Sequence, residues 1–117
     1  MCHVLIIEDE PLIAFDMADL LTDHGASSFS FADNEGDAVD EADQRIPDFI
    51  VSDVHLRSGT GPQAVSLIRI RHGSVPVIFV TATPNADFPR DPPSSVFRKP
   101  MDRRAIGTTF HAMAFEN

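Results

Sequence analysis

Six polar residues of this sequence stand where apolar, strand-like runs end. They are Glu8, Asp9, Glu10, Asp53, Thr81 and Lys99. Asp53 interrupts the run FIVSDVHL, residues 49–56, at the point where the pattern of a buried strand is ending. An ionised carboxylate is costly to bury unless an opposite charge pairs with it. Because the carboxyl ends of parallel strands meet at one edge of a sheet, we expect all six side chains to share one site.

The acidic residues of this set predict a metal site. Carboxylates of Glu8, Asp9 and Asp53 that are crowded together repel, and they raise each other's pKa unless a divalent cation joins them. Mg²⁺ prefers oxygen ligands and binds with few protein ligands and several waters. Lys99 supplies a compact positive charge that can pair with Asp53 from the other side.

Asp53 then has the properties of a nucleophile for phosphorus. A carboxylate can attack phosphorus, and phosphoryl transfer needs in-line positioning and cover for three equatorial oxygens. Mg²⁺, the Lys99 ammonium, the Thr81 hydroxyl and the backbone N–H groups after Asp53 could provide that cover. The sequence therefore predicts phosphoryl transfer to Asp53.

Five strands are predicted to position these residues. The apolar runs at 4–7, 49–51 and 75–80 are rich in β-branched residues and do not alternate, as is typical of parallel strands buried on both faces. Residues 28–31 do alternate, which favours a strand near the sheet edge, and residues 96–97 form a short last candidate.

Helical periodicity separates the strands. The first predicted helix, after Pro11 and before Gly25, has its apolar side at Ile13, Met17, Leu20 and Leu21, and the second, after Asp33, at Ala38, Ala42 and Ile46. The third is indicated by Val65, Ile68 and His72, before Gly73. The last is indicated by Ile106, Phe110, Met113 and Ala114, with Asp102 as its predicted N-cap. Alternating strands and helices predict an α/β doubly wound fold with a parallel sheet.

One crossover lacks a helical pattern. Residues 83–95 read TPNADFPRDPPSS, with prolines at 84, 89, 92 and 93. A proline inside a helix costs about 3 kcal/mol or more through its lost donor and its steric clash. We expect an irregular loop with at most one turn, so that the fourth helix is reduced or absent.

Length and composition bound the protein class. The 117 residues suit a single domain, 1–117, and a net charge of −9 opposes nucleic-acid binding, so a basic protein partner or a cation is favoured. No apolar stretch is long enough to cross a membrane, and we expect a cytoplasmic protein. The single Cys2, beside the initiator Met, is interpreted as part of a frayed end.

Four segments together resemble the receiver domain of two-component response regulators. They are LIIEDE at 5–10, VSDVHLRSGTG at 51–61, VIFVTAT at 77–83 and FRKP at 97–100. The resemblance implies a flavodoxin-like, five-stranded sheet with strand order 2-1-3-4-5. It also implies Asp53 as phosphoacceptor, with a histidine kinase or a histidine phosphotransfer protein as the phosphodonor.

The same resemblance assigns roles to the other site residues. Asp9 and Asp53 would ligate Mg²⁺ directly, Glu8 would act through a bound water, and the backbone carbonyl of His55 would complete the protein ligands. Thr81 would be the switch hydroxyl, and Lys99 would hold a phosphoryl oxygen. The His55 side chain could overhang the phosphoryl group or point to solvent, and the residues favour neither. The turn Gly59-Thr60-Gly61 is interpreted as flexible.

Two departures from the family pattern bear on function. Val96 stands where the family usually has an aromatic switch residue, and the fourth helix is shortened. IFVTAT resembles the stand-alone receivers of alphaproteobacteria that carry a Phe-Ala-Thr motif.

We expect a single-domain phosphoacceptor, not an enzyme, that signals through a downstream protein or acts as a phosphate sink. The alternatives are a phosphorylation-independent pseudo-receiver and an aspartate-nucleophile phosphatase, which would usually have a second Asp where His55 stands.

Overall fold

The sheet of this protein has the predicted strands and the predicted order. The computed structural model describes residues 1–82, 88 and 90–116. Its five parallel strands are arranged β2-β1-β3-β4-β5. Their bounds are β1 His3–Ile7, β2 Ser28–Ala32, β3 Phe49–Asp53, β4 Val77–Thr81 and β5 Ser94–Arg98. The predicted flavodoxin-like α/β fold is confirmed, and β2 is an edge strand, as the alternating pattern indicated.

Four helices cover the two faces of the sheet in the described part of the chain. They are α1 Pro11–Thr22, α2 Glu35–Gln44, α3 Gly61–His72 and α4 Arg103–Phe115. Successive side chains of a strand point to opposite faces, so Val4 and Ile6 pack with α1 and α4, whereas Leu5 and Ile7 pack with α2 and α3. Both faces are therefore apolar, which explains the unbroken apolar runs.

The helix ends follow local capping chemistry. Pro11 and Pro62 lie in the first turns of α1 and α3, where a missing N–H costs nothing. The Asp102 side chain accepts a hydrogen bond from the backbone N–H of Ala105, so its predicted role as N-cap is confirmed. Asn34 caps α2 in the same way through the N–H of Asp37.

Three predictions about local structure away from the site were wrong. Ile46 is not on a helix: α2 ends at Gln44 and Ile46 is 56% exposed, because a residue that precedes a proline, in this chain Pro47, is disfavoured in the helical region. Cys2 is buried in the core, and its backbone N–H donates to the Ser27 hydroxyl. Ser94 and Ser95 belong to β5 and not to the preceding loop.

The connection between β4 and β5 agrees with the prediction as far as it is described. Of its described residues, 82, 88 and 90–93, none is helical. The rest of the predicted irregular loop, 83–87 and 89, lies outside the described residues. Arg69 of α3 donates hydrogen bonds to the carbonyl oxygens of Asp91 and Pro93, at 2.6 and 2.8 Å, and so fixes the segment that leads into β5.

None of the described helices is both long enough and apolar enough to cross a lipid bilayer.

Buried His3 gives the fold a dependence on pH. Its ring nitrogens lie 2.7 and 2.8 Å from the hydroxyls of Ser28 and Ser30. Burial, reinforced by the charge of Arg45, lowers the pKa of His3 below its usual value of 6.5. The unfolded chain then binds more protons than the folded one once the pH falls through that usual value, so the free energy of unfolding decreases.

Between about pH 7.5 and about pH 5.5 we expect His3 to lower the free energy of unfolding as the pH falls, whereas Glu8, whose pKa is raised to about 7, acts in the opposite direction. The free energy of unfolding of the wild type minus that of a His3→Gln variant, both measured by urea unfolding, should therefore decrease as the pH falls through this interval. Equal slopes for the two proteins would assign the effect to other groups.

Candidate functional site

The predicted site residues lie at the carboxyl edge of the sheet. Glu8 and Asp9 follow β1, Asp53 is the last residue of β3, and Thr81 is the last residue of β4. Strand register pairs Asp53 with Val80, and Thr81 with Arg98, so that Lys99 is the first residue past β5. A hydrogen bond of 2.8 Å from the Lys99 backbone N–H to the Thr81 carbonyl extends this pairing by one step.

The three carboxylates form one cluster. Glu8, Asp9 and Asp53 each place an oxygen within 4.8 Å of the others. Their side chains are 8, 15 and 11% exposed, so little water screens them from one another. Burial, with the charge of Asp53 added to it, raises the pKa of Glu8 to about 7. The cluster therefore carries negative charge that the protein compensates only in part.

Lys99 provides that partial compensation. Its Nζ donates to Asp53 Oδ2 at 3.2 Å and lies 3.7 Å from Glu8 Oε1. Burial lowers the pKa of Lys99, but the opposing charges of Asp53 and Glu8 outweigh burial, and the net pKa is raised. The ammonium is thus held in its charged form beside the Asp53 oxygen, as predicted.

The donor set suits Mg²⁺. The three carboxylate oxygens lie within 4.8 Å of one another, close enough for one hydrated Mg²⁺ to be held by them directly or through a bound water. All three side chains offer carboxylate oxygen, the ligand type that this ion prefers. The raised pKa of Glu8 is a second sign of fit, because a cation would relieve the repulsion that causes part of it.

Backbone N–H groups of the loop after β3 donate to two carboxylates, that of Asp9 in the site and that of Glu35 in α2. The Arg57 N–H donates to Asp9 Oδ2 at 2.9 Å, and the Thr60 N–H donates to Glu35 Oε1 at 3.3 Å. His55 pairs with Thr60 across the loop, and its side chain is exposed. The predicted role of its carbonyl as a metal ligand stays a prediction.

Gly61 is a site residue that sequence reasoning missed. It is buried in the first turn of α3, not part of a flexible turn, and its N–H donates to the Val54 carbonyl at 3.0 Å. A Cβ at this position would lie 1.9 Å from the Asp53 carbonyl oxygen and 2.1 Å from Ser52 Oγ. Only glycine lets α3 begin so close to the strand end that carries Asp53. A glycine directly before Pro62 was the signal available in the sequence.

Comparison with known proteins adds family-level findings. A model of the response regulator receiver domain matches residues 4–91. The phyllosphere-induced regulator PhyR of Methylorubrum extorquens is 36% identical over 97 residues, which are 81% of this chain and 36% of PhyR. PilH of Pseudomonas aeruginosa is 28% identical over 119 residues, 97% of this chain and 98% of PilH. This chain thus spans about a third of PhyR but nearly all of PilH.

Solved structures agree on the fold. A double mutant of the anti-anti-sigma factor PhyR of Bartonella quintana superposes with a TM-score of 0.83 at 30% identity, over 98% of this chain and 49% of that one. The receiver domain of the sensor histidine kinase PA1611 of Pseudomonas aeruginosa has a TM-score of 0.78 at 20% identity, over 99% and 98% of the two chains. Its structure contains a magnesium ion coordinated in the active-site cleft.

Proposed function

This chain belongs to the response regulator receiver domain family, and from that membership we propose that it accepts a phosphoryl group on Asp53. The donor is a phosphohistidine on a histidine kinase or on a histidine phosphotransfer protein. The product is a phosphorylated signalling protein, not an enzyme that turns over a substrate. A cytoplasmic location is part of this proposal.

One observation carries the proposal. Asp53 Oδ2 lies 3.2 Å from the Lys99 ammonium, and the same carboxylate lies in a cluster with Glu8 and Asp9. Such a cluster, with the Lys99 ammonium beside it and the exposed Arg57 guanidinium 4.0 Å from Asp9, is costly in an unliganded protein but suits a reaction that brings in a metal ion and a phosphoryl group. The residues converge from three strand ends, which folding alone does not require.

The transfer step follows from this geometry. A carboxylate oxygen of Asp53 forms a bond to phosphorus while the bond from phosphorus to the donor's imidazole nitrogen breaks. The electron pair of that bond stays with the imidazole. Lys99 is positioned to neutralise charge on a phosphoryl oxygen, and the Thr81 hydroxyl is proposed to move toward the phosphoryl group afterwards. The Arg57 and Thr60 hydrogen bonds hold the loop beside Asp53 in place.

We propose Asp9, Asp53 and the His55 carbonyl as direct ligands of Mg²⁺, with Glu8 acting through a bound water. When bound, the ion would supply positive charge between the carboxylates and the incoming phosphoryl oxygens. The magnesium named in the PA1611 receiver structure supports this assignment by analogy of fold.

The output is proposed to be a protein contact or the removal of phosphate from a shared kinase. The Bartonella relative is described as an anti-anti-sigma factor, which supports a protein partner. That the receiver domain extends over residues 1–117 remains our proposal.

A second candidate function is a pseudo-receiver that docks without phosphorylation. The observation that favours it is Val96, which packs partly buried against the core where the family usually has an aromatic residue. Because position 96 holds a valine, the usual coupling between Thr81 and an aromatic side chain at that position is in doubt. The carboxylate cluster and Lys99 favour the phosphoacceptor, since a docking module has no use for them.

The two candidates differ in a simple experiment. The protein is incubated with acetyl phosphate, once with Mg²⁺ and once with a chelator, and its intact mass is measured. We expect one phosphoryl adduct that depends on Mg²⁺, and Mg²⁺-dependent shifts of the Asp9 and Asp53 amide resonances in NMR spectra. Absence of an adduct together with unchanged spectra would support the pseudo-receiver.

A further inference from the structure

A cleft of about 270 Å³ lies between α1 and the carboxyl end of β2. Its apolar lining includes Ala14 and Phe15 from α1, and Phe31 and Ala32 from β2. Asp53 and Lys99 are not among the residues that line it. The cleft thus lies beside the phosphoryl site and shares Glu8 with it, but its other lining residues do not belong to that site.

Two exposed aromatic rings form one wall of this cleft. Phe15 is 56% exposed and Phe31 39%, and the rings meet edge to face with centroids 5.4 Å apart. Phe29 stacks on Phe31 at 6.2 Å and continues the aromatic surface along the edge strand. Single exposed apolar residues are common on proteins, whereas contiguous exposed aromatics beside a cavity are typical of an interaction site.

The rim of the cleft is acidic. Glu8, Asp33 and Asp37 line it, and none of the described lining residues is basic. The Asn34 side-chain amide donates to Asp33 Oδ1 at 2.7 Å and to Asp37 Oδ2 at 3.0 Å, and so holds these two carboxylates side by side. With a net charge of −9 on the whole chain, the field at this rim attracts a cation.

Helix capping explains part of this arrangement but not all of it. Asp33 and Asp37 lie at the N-terminus of α2, where acidic residues contribute about 0.3–1 kcal/mol each to helix stability. Capping gives no reason for two aromatic rings to stand exposed beside them. A ligand that needs both an aromatic face and a carboxylate pair accounts for both features.

We propose that this cleft binds an arginine side chain of a partner protein. A guanidinium group is planar, stacks on aromatic rings and pairs with carboxylates through two parallel hydrogen bonds. A lysine ammonium can satisfy the carboxylates but stacks poorly. The volume of about 270 Å³ is enough for one side chain. The cleft recognises arginine whether or not Asp53 accepts phosphate.

The test uses two blocked alanine pentapeptides, one with a central arginine and one with a central lysine. Each is titrated into the isotope-labelled protein, and NMR shifts of the Ala14 and Ala32 methyl groups are followed. We expect saturable shifts with the arginine peptide and a weaker affinity, by about two- to five-fold, with the lysine peptide, because an ammonium lacks the planar stacking and the bidentate pairing of a guanidinium.

Variants locate the binding site. Phe31→Leu and Asp37→Asn should each weaken arginine binding by about five-fold. The matched controls are Asp40→Asn on the exposed face of α2 and Ile70→Ala on α3, which should leave the affinity unchanged. Both test variants should still form the acetyl phosphate adduct if the wild type does, which separates this proposal from the phosphoacceptor proposal.

Three results would overturn the proposal. The first is equal affinity for the two peptides, and the second is equal affinity of the test variants and the controls. The third is a shift of Ala14 and Ala32 on simple dilution without peptide, which would assign the cleft to a second copy of this chain.

Discussion

The Asp53→Asn variant is expected to form no phosphoryl adduct with acetyl phosphate and Mg²⁺. The amide has the shape of the carboxylate but is a far weaker nucleophile, so the bond to phosphorus cannot form. The backbone of Asp53 is held by strand pairing and by the Gly61 contact, neither of which involves the carboxylate. Intact-mass measurement should therefore show a complete loss of the adduct in a protein that is still folded.

Asp40→Asn is the matched control for this variant, because it removes one carboxylate from a position on α2 outside the cluster. It should form the adduct like the wild type. Thermal unfolding of both variants checks that the fold persists. An undiminished adduct on Asp53→Asn would mean that another side chain accepts the phosphoryl group, and the proposed function would then be wrong.

The Gly61→Ala variant is expected to lose both stability and reactivity. The added Cβ would lie 1.9 Å from the Asp53 carbonyl oxygen, so either α3 or the end of β3 must move. Overpacking of this kind typically costs about 1–3 kcal/mol of unfolding free energy, measured by urea denaturation. A displacement of about 1 Å at a reacting group can slow a reaction about 100-fold, so adduct formation should slow by a similar factor.

Gly36→Ala is the control for this substitution. Gly36 lies in α2, and a Cβ there meets only the Asn34 side-chain oxygen, at an ordinary 3.6 Å. Alanine in place of glycine in a helix should be neutral or stabilising by about 0.5–1 kcal/mol. If Gly61→Ala unfolds and reacts like Gly36→Ala, the close approach of α3 to Asp53 is not required for either property.

The doubly wound fold was predictable because its signals are local. Unbroken apolar runs indicated strands covered on both faces, and the two core clusters confirm that alternate residues of β1 face different helix pairs. Pro11 and Asp102 indicated helix starts by their own chemistry. The strand order came instead from the resemblance to receiver domains, since no local signal shows that β3 pairs with β1 and not with β2.

The failures have local and tertiary causes. Ile46 matched a helical period, but Pro47 removed the helical conformation from it, and this conflict was visible in the sequence. Cys2 was misjudged because its burial depends on pairing with Ser27, a contact 25 residues away along the chain. Alternation along β2 identified the edge strand but could not tell that Phe31 would stand exposed against Phe15.

The types and order of Glu8, Asp9, Asp53, Thr81 and Lys99 determined by themselves that this is a receiver-type chain, and they predicted metal and phosphate chemistry at one sheet edge. The tertiary structure decided the quantities on which that chemistry depends. It set the 3.2 Å contact between Lys99 and Asp53, the raised pKa of Glu8, and the approach of Gly61. These depend on distance and on exclusion of water, which arise only when segments far apart in sequence pack together.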